Sequence, residues 1–238
     1  MLDWLKRDSP VLEVGGRELP VVLRRLAHAR RMTLRLAPDG SEIRISVPRW
    51  CRTAEAMAFA RDRRDWLETQ LAALPRAEPI GPDATIRYRG AALRLDYRPA
   101  APRKPVPADA AITIGGPAES LRPRLMRWLK GEAQTLAEQD LAFYCERIDR
   151  AAPPIALSNA QRRWGSCAPD GTIRINWRLV MAPDFVRRSV VAHEASHLVH
   201  FDHSPRFHAL LADLYEGDIA QANRWLKREG RTLYAPFG

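Results

Sequence analysis

Five of the six histidines of this 238-residue chain fall within one segment, VVAHEASHLVHFDHSPRFHALL, and their spacing calls for a helix, a turn and a second helix. Within it, His193-Glu194-Ala195-Ser196-His197 has the form HExxH. On an α-helix, positions i and i+4 differ by about 40° in azimuth and about 6 Å in rise, so both imidazoles point the same way. Two such nitrogens reach one ion at about 2.0 to 2.1 Å. Glu194 lies about 100° round from His193, where a carboxylate takes a proton from metal-bound water without occupying a ligand position. In a chain of this length HExxH arises by chance roughly once in a hundred, and a histidine at one particular later position makes it about fortyfold rarer.

Catalytic zinc takes three protein ligands and leaves the fourth position to water. His200 sits at i+7 from His193, about 10.5 Å along the axis, so one helix does not easily deliver all three. His203 lies beyond it, and the following Ser204-Pro205 reads as a helix start, with Ser as N-cap and Pro in the first turn. The first helix must therefore end, and the chain must turn near Phe201 to His203, which swings His203 back over the metal. The expected ligand set is His193, His197 and His203 around one ion, with Glu194 as general base. His200 and His208 read as neighbours of the metal or solvated groups, and His28, alone among arginines, as a surface residue.

The rest of the chain predicts an α+β fold. Val11 to Pro48 alternates strands with Gly15-Gly16 and Pro38-Asp39-Gly40 turns, and the alternation of Ile43, Ile45 and Val47 marks a half-buried strand, giving a small antiparallel sheet. Residues 53–74 change to a helical period, with Thr53 placed to cap one long helix. ATIRYRG and AALRLDY read as a second hairpin. Pro99, Pro102, Pro105 and Pro107 then lock an extended run that is the best candidate boundary. A short strand AAITIGG precedes a helix from Ser120 to about Asp149. A hairpin of IALSNAQRRWGSC with TIRINWRLV follows, then helices at about 184–201, 205–215 and 219–229, the last stopped by Gly230. This divides the chain into a β-rich N-terminal domain with one long helix (1–115) and a helical domain with a β-hairpin (116–238).

Charge and cysteine usage narrow the setting. The net charge is +10, and all but Lys6, Lys104, Lys130 and Lys227 of the 38 cations are arginines. Such a surplus attracts phosphates or anionic lipid heads. Here the arginines are scattered rather than clustered, which fits a compositional bias towards Arg, Ala and Pro better than a nucleic-acid-binding block. Cys51, Cys145 and Cys167 are odd in number and far apart, so they specify neither a disulfide framework nor a four-thiolate metal site. The opening MLDWLKRDSPV has no apolar leader core, and no stretch approaches the roughly 18 apolar residues of a membrane span. A reduced, cytoplasmic protein is expected, with no membrane segment and no oligomeric state specified.

RRWGSC at 162–167, INW at 175–177, HEASHL at 193–198 and FDHSPRF at 201–207 resemble the YgjP-like metallopeptidase family of metal-dependent hydrolases. The N-terminal strands, the Val47-Pro48 pair and the helix bearing Trp66 are similar to that family's first half, so the resemblance covers most of the chain. It implies a zincin-like metallopeptidase part related to the SprT-like and WLM groups, preceded by a β-rich part. Carried over by residue, His193, His197 and His203 are its ligands and Glu194 its base. Two positions depart from the family pattern: Ala195 stands where Leu is common, and Asp202 stands where Asn precedes the third histidine, adding negative charge beside a ligand.

A zincin cleft commonly offers a strand edge to an extended peptide, and TIRINWRLV is the strand nearest the HExxH helix in sequence. Trp164, Gly165, Ser166 and Asn176 would line or buttress that cleft. Equally, Trp164 and Trp177 are core aromatics and Gly165 a bulge. Arg163, His208 and Tyr215 are the candidates for stabilising a developing oxyanion. Cys167 lies in no cysteine-protease signature. The expected function is a zinc-dependent metallopeptidase acting on a peptide or protein substrate, although imidazoles also suit other transition metals. A different class of reading is a basic nucleic-acid-associated module with a structural metal. Between the two stands a DNA-associated protease of the SprT or WLM kind.

Overall fold

The Gly15-Gly16 turn, with both residues at positive φ (56° and 73°), joins β1 (Val11–Val14) to β2 (Arg17–Leu26) in a tight antiparallel hairpin. These and the elements below come from a computed structural model that describes residues 10–74 and 80–237; the opening segment read above for a leader lies outside the described residues. The chain divides into two compact units, residues 1–76 (with Gly238) and 77–237.

In the first unit, β3 (Thr33–Leu36) and β4 (Ile43–Pro48) complete a sheet of order β1-β2-β4-β3. β4 pairs antiparallel with β3 but parallel with β2, so the sheet is mixed rather than antiparallel as expected. The inner position suits the apolar face of β4: the fully buried Ile43 and Ile45 stand beside Val21 and Leu23 of β2 on one side and Leu36 and Leu34 of β3 on the other. The single helix expected at 53–74 is two, α1 (Thr53–Arg61) and α2 (Arg64–Ala72), and the N-cap is Arg52 rather than Thr53. Arg63 leaves helical geometry (φ −112°, ψ 20°), yet the apolar repeat runs on from Ala60 to Leu67 and Leu71, which hides the break from the sequence period.

In the second unit, β5 (Thr85–Tyr88), β6 (Ala91–Tyr97), β7 (Val106–Ala108) and β8 (Ala111–Ile114) form a sheet of order β5-β6-β8-β7. The expected β5–β6 hairpin turns on Arg89-Gly90, both at positive φ. The proline-rich run is not a boundary, because β7 within it pairs with β8 and Pro107 stands opposite Ile112. β7 is the edge strand, where a missing N–H leaves no ladder bond unmade. The division expected at 115/116 therefore moves upstream: Leu93, Leu95, Ile112 and Ile114 share one core with Leu121, Leu125 and Leu129 of α3 (Leu121–Arg147). At 27 residues, α3 is about 40 Å long and forms the spine of this unit.

The third sheet joins β9 (Ile155–Ser158), β10 (Gly165–Cys167) and β11 (Ile173–Asn176) in the order β10-β11-β9. β10 and β11 are the expected antiparallel hairpin, closed by the Pro169-Asp170-Gly171 turn with Gly171 at φ 82°. The second strand is shorter than expected, because Trp177–Met181 coils into a 3-10 helix capped by the Asn176 side chain. Helices α4 (Asp184–Ser196), α5 (Pro205–Leu214) and α6 (Ile219–Glu229) follow. Gly230 does not stop α6 by a left-handed turn; the chain continues into a 3-10 helix, Gly230–Tyr234. A side chain at Gly230 would meet Trp164 at 2.8 Å, so glycine is set there by packing. Among the described residues no helix is long and apolar enough to cross a membrane.

One ion-pair cluster locks α4 to α3. Arg187 donates from Nε to Asp140 Oδ2 at 2.7 Å and from Nη1 to Asp184 Oδ1 at 2.5 Å, and Arg188 reaches the other Asp140 oxygen at 3.1 Å. Arg187 and Asp140 are both almost wholly buried. Removing one partner of such a pair strands a buried charge at a cost of about 3 to 5 kcal/mol. Arg187→Ala should therefore destabilise the protein by about 3 kcal/mol in urea denaturation, the lower end because Arg188 still reaches Asp140. A loss below about 1 kcal/mol would show that the pair does not hold the helices.

Candidate metal centre and general base

The site is built on the last turn of α4 and the first turn of α5. α4 stops at Ser196, earlier than the expected end near residue 201, and His197 is its C-cap. His200 N–H bonds back to Ser196 O at 3.0 Å, and the chain then turns through Phe201 and Asp202. α5 opens as the sequence predicts, with Ser204 Oγ accepting from Phe207 N and Pro205 in the first turn. Between these two ends His203 folds back onto α4.

The three imidazoles meet there. His203 Nε2 lies 3.2 Å from His193 Nε2, and one ligand nitrogen from each of His193, His197 and His203 falls within 4.8 Å of the others. Two nitrogens bound tetrahedrally at about 2.0 to 2.1 Å would stand about 3.3 to 3.4 Å apart. The His193–His203 pair already stands close to that spacing, and the His197 nitrogen lies within 4.8 Å of both, near enough to complete a three-nitrogen site. The Nδ1 of His197 lies 3.1 Å from the His200 carbonyl oxygen. Donation from that nitrogen leaves Nε2 as the lone-pair nitrogen, the usual outer-shell device for a ligating histidine. His200 thus serves the site through its backbone.

Burial prepares two of the rings for a cation. Loss of water pushes the His193 pKa down to about 4, helped by the neighbouring His197, His203 and His208, and burial lowers His197 as well. Neutral imidazole is the ligating form, so the folded site and a metal ion favour the same protonation state. Underneath, the fully buried Phe207 touches all three rings, with centroid distances of 4.9 Å to His193, 4.6 Å to His197 and 4.9 Å to His203. Phe207 stands in the segment that carries the resemblance, and its place three residues after the N-cap turns it inward, but its role as the floor is visible only in three dimensions.

Glu194 is buried beside the trio, and desolvation pushes its pKa up to about 7 against the opposing Cys167 backbone N–H and Arg163. Its carboxyl lies against β10. A Cβ on Gly165 would stand 2.7 Å from Glu194 Cγ and closer still to Oε1, so only glycine leaves room for the glutamate. The bulge reading of Gly165 gives way to close approach: it is a paired strand residue, opposite Ile175.

A family model described as YgjP-like, metallopeptidase domain, matches residues 30–229. The chain belongs to the YgjP-like metallopeptidase family. No curated protein and no solved structure matches it. A metal-dependent peptidase domain of this family implies an ion, and the three histidines are the described residues able to hold it.

Of the other residues picked from the sequence of this YgjP-like chain, some join the site and some do not. His208 is exposed at its rim, its ring 6.3 Å from that of His203, and the exposed Arg163 acts on Glu194 through its field. Trp164 stands beside Gly165 and packs on Tyr234 at 5.7 Å, so it is both wall and core. Asn176 is fully buried and spent: it donates to Ala160 O at 2.7 Å and Tyr234 OH at 3.2 Å and accepts from Arg178 N. It braces the fold under the strand rather than facing a substrate. Tyr215 gives its hydroxyl proton to Phe185 O at 2.7 Å, which removes it from the oxyanion candidates. Trp177 is a core aromatic, as its alternative reading held. Ala195 is fully buried, so its departure from the family Leu is one of packing. Asp202 is exposed and turns to Ser204 N, which with the serine hydroxyl keeps its carboxyl below the usual range. Burial, Glu194 and Asp170 all raise the Cys167 thiol, the opposite of what a nucleophile needs.

The Gly165 contact yields a sharp test. Gly165→Ala should displace the Glu194 carboxylate and lower hydrolytic turnover about a hundredfold while leaving bound metal, read by elemental analysis, unchanged. Full turnover in that variant would show that the carboxylate position is not held by β10.

Proposed function

We propose that this protein is a zinc peptidase in which Glu194 activates water for attack on a peptide bond. The observation that carries the reading is the convergence of His193, His197 and His203 directly beside a buried carboxyl on the same helix turn. Three imidazole nitrogens match the preference of zinc for nitrogen donors with an open fourth position. When bound, zinc supplies Lewis acidity that polarises a carbonyl and makes water acidic near neutrality.

The protein's own groups supply the rest. Glu194 takes a proton from the attacking water and returns it to the departing amine, a role its enclosure between α4 and Gly165 suits because the carboxyl is fixed and shielded. Phe207 and the His200 carbonyl keep the ligand rings oriented. Arg163, whose charge acts on Glu194, and His208, 6.3 Å from the His203 ring, are both exposed and are taken as the donors to a developing oxyanion. β10 is the edge of its sheet, whereas β11, expected to serve as that edge, is central; an extended peptide or protein segment is taken to align along β10. Three free cysteines accord with a reducing, cytoplasmic setting.

Metal analysis and one substitution test this. The purified protein should hold about one equivalent of zinc, and Glu194→Gln should keep that zinc while losing about 10²- to 10⁴-fold in peptide hydrolysis. Wild-type turnover in the zinc-loaded glutamine variant would exclude Glu194 as the base.

A further inference from the structure

A pocket of about 210 Å³ opens directly beside His193 and Glu194. Its walls come from three directions: Trp164 ahead of β10, Val190 on the HExxH helix and Leu211 on α5, with Ile219 and Leu226 closing it from α6. The remaining polar groups are few. Ser189 has its hydroxyl bonded to Val186 O at 2.8 Å, and Asn223 stands exposed on α6. Among the described residues no lysine, arginine or aspartate lines it, and the glutamate that does is the proposed base.

Size and lining together select a ligand chemistry. An apolar cavity of about 150 Å³ is enough to take a benzene ring, so this pocket has room for one leucine, methionine or phenylalanine side chain. A carboxylate entering it would lose its water, meet no cation among the lining residues and face Glu194. An alanine methyl would leave most of the space unfilled and most of the apolar wall wet. The pocket shares two residues with the site of hydrolysis, so what fills it is attached next to the scissile bond.

Resting on the peptidase reading, we propose that this pocket sets substrate choice, admitting a medium-to-large apolar side chain on a residue flanking the scissile bond, with Ile219 and Leu226 of α6 as the specificity-determining residues. α6 contributes none of the three histidines nor the base, so selectivity and catalysis are housed on different helices and can be altered separately.

The test is calorimetric binding of amino-acid hydroxamates to the zinc-loaded full chain, using the alanine, leucine, phenylalanine, tryptophan, aspartate and lysine compounds. Leucine and phenylalanine hydroxamates should bind at least about tenfold more tightly than the alanine, aspartate or lysine ones. Leu226→Trp, which fills the pocket, should abolish that preference with zinc content unchanged, and Leu226→Ala, which enlarges it, should improve tryptophan hydroxamate relative to leucine. Equal affinities across the series, no binding by the zinc-loaded protein, or an undiminished preference in Leu226→Trp would overturn the pocket assignment while leaving the peptidase reading standing. A protein that takes up no zinc would sink both, and elemental analysis reports that outcome separately.

Discussion

Two opposite charges, Arg187 and Asp140, are taken out of water at 2.7 Å, and the position of α4 follows from them. Inside a low-dielectric core neither can move away without stranding its partner, so α4 is fixed along its length against α3. The neighbouring Arg188 extends the cluster to Glu216 just past α5, and Glu216 accepts from the buried Tyr144 of α3 at 2.9 Å. The two helices that frame the histidines, α4 and α5, are thus referenced to one spine, α3. Hydrophobic contacts make the same assembly favourable, but they slide; hydrogen-bonded charges do not.

Upon that frame the site is a matter of where helices stop and how closely backbones approach. α4 ends at Ser196 and α5 begins at Pro205, and the short turn between them is what brings His203 to His193. Gly165 allows β10 to lie against the Glu194 carboxyl, and Gly230 allows the following 3-10 helix to lie against Trp164, next in line on the same strand approach. Two missing side chains therefore leave room for the Glu194 carboxyl and the Trp164 ring. Burial then lowers the proton affinity of the His193 and His197 imidazoles, which keeps them in the form that binds a cation, and raises that of the Glu194 carboxyl.

The pocket beside Glu194 is lined in part by α6, which carries none of the three histidines. A helix that carries neither ligand nor base but closes an apolar recess tolerates change in its lining without disturbing coordination.

Much of the site was written in local sequence. HExxH on a helix turn, followed by Ser204-Pro205, is chemistry at i, i+4 and a helix restart, and both are short-range consequences of backbone geometry that no distant contact had to supply. The same holds for the Gly15-Gly16 and Arg89-Gly90 hairpins and for the α+β order of elements. Other features depended on partners far along the chain. The parallel pairing of β2 with β4, the membership of the proline-rich run in the second unit, and the break between α1 and α2 were decided by which apolar faces found each other, and a periodic pattern carries no record of its partner. Asn176 and Tyr215 were withdrawn from the cleft by hydrogen bonds to Ala160 and Phe185, while Phe207 entered it by packing and the Glu194 carboxyl decided between the two readings of Gly165. Residue type and spacing determined which atoms can bind a metal; only tertiary structure, where burial and long-range contacts set each polar group's partner, decided which of them face the reaction.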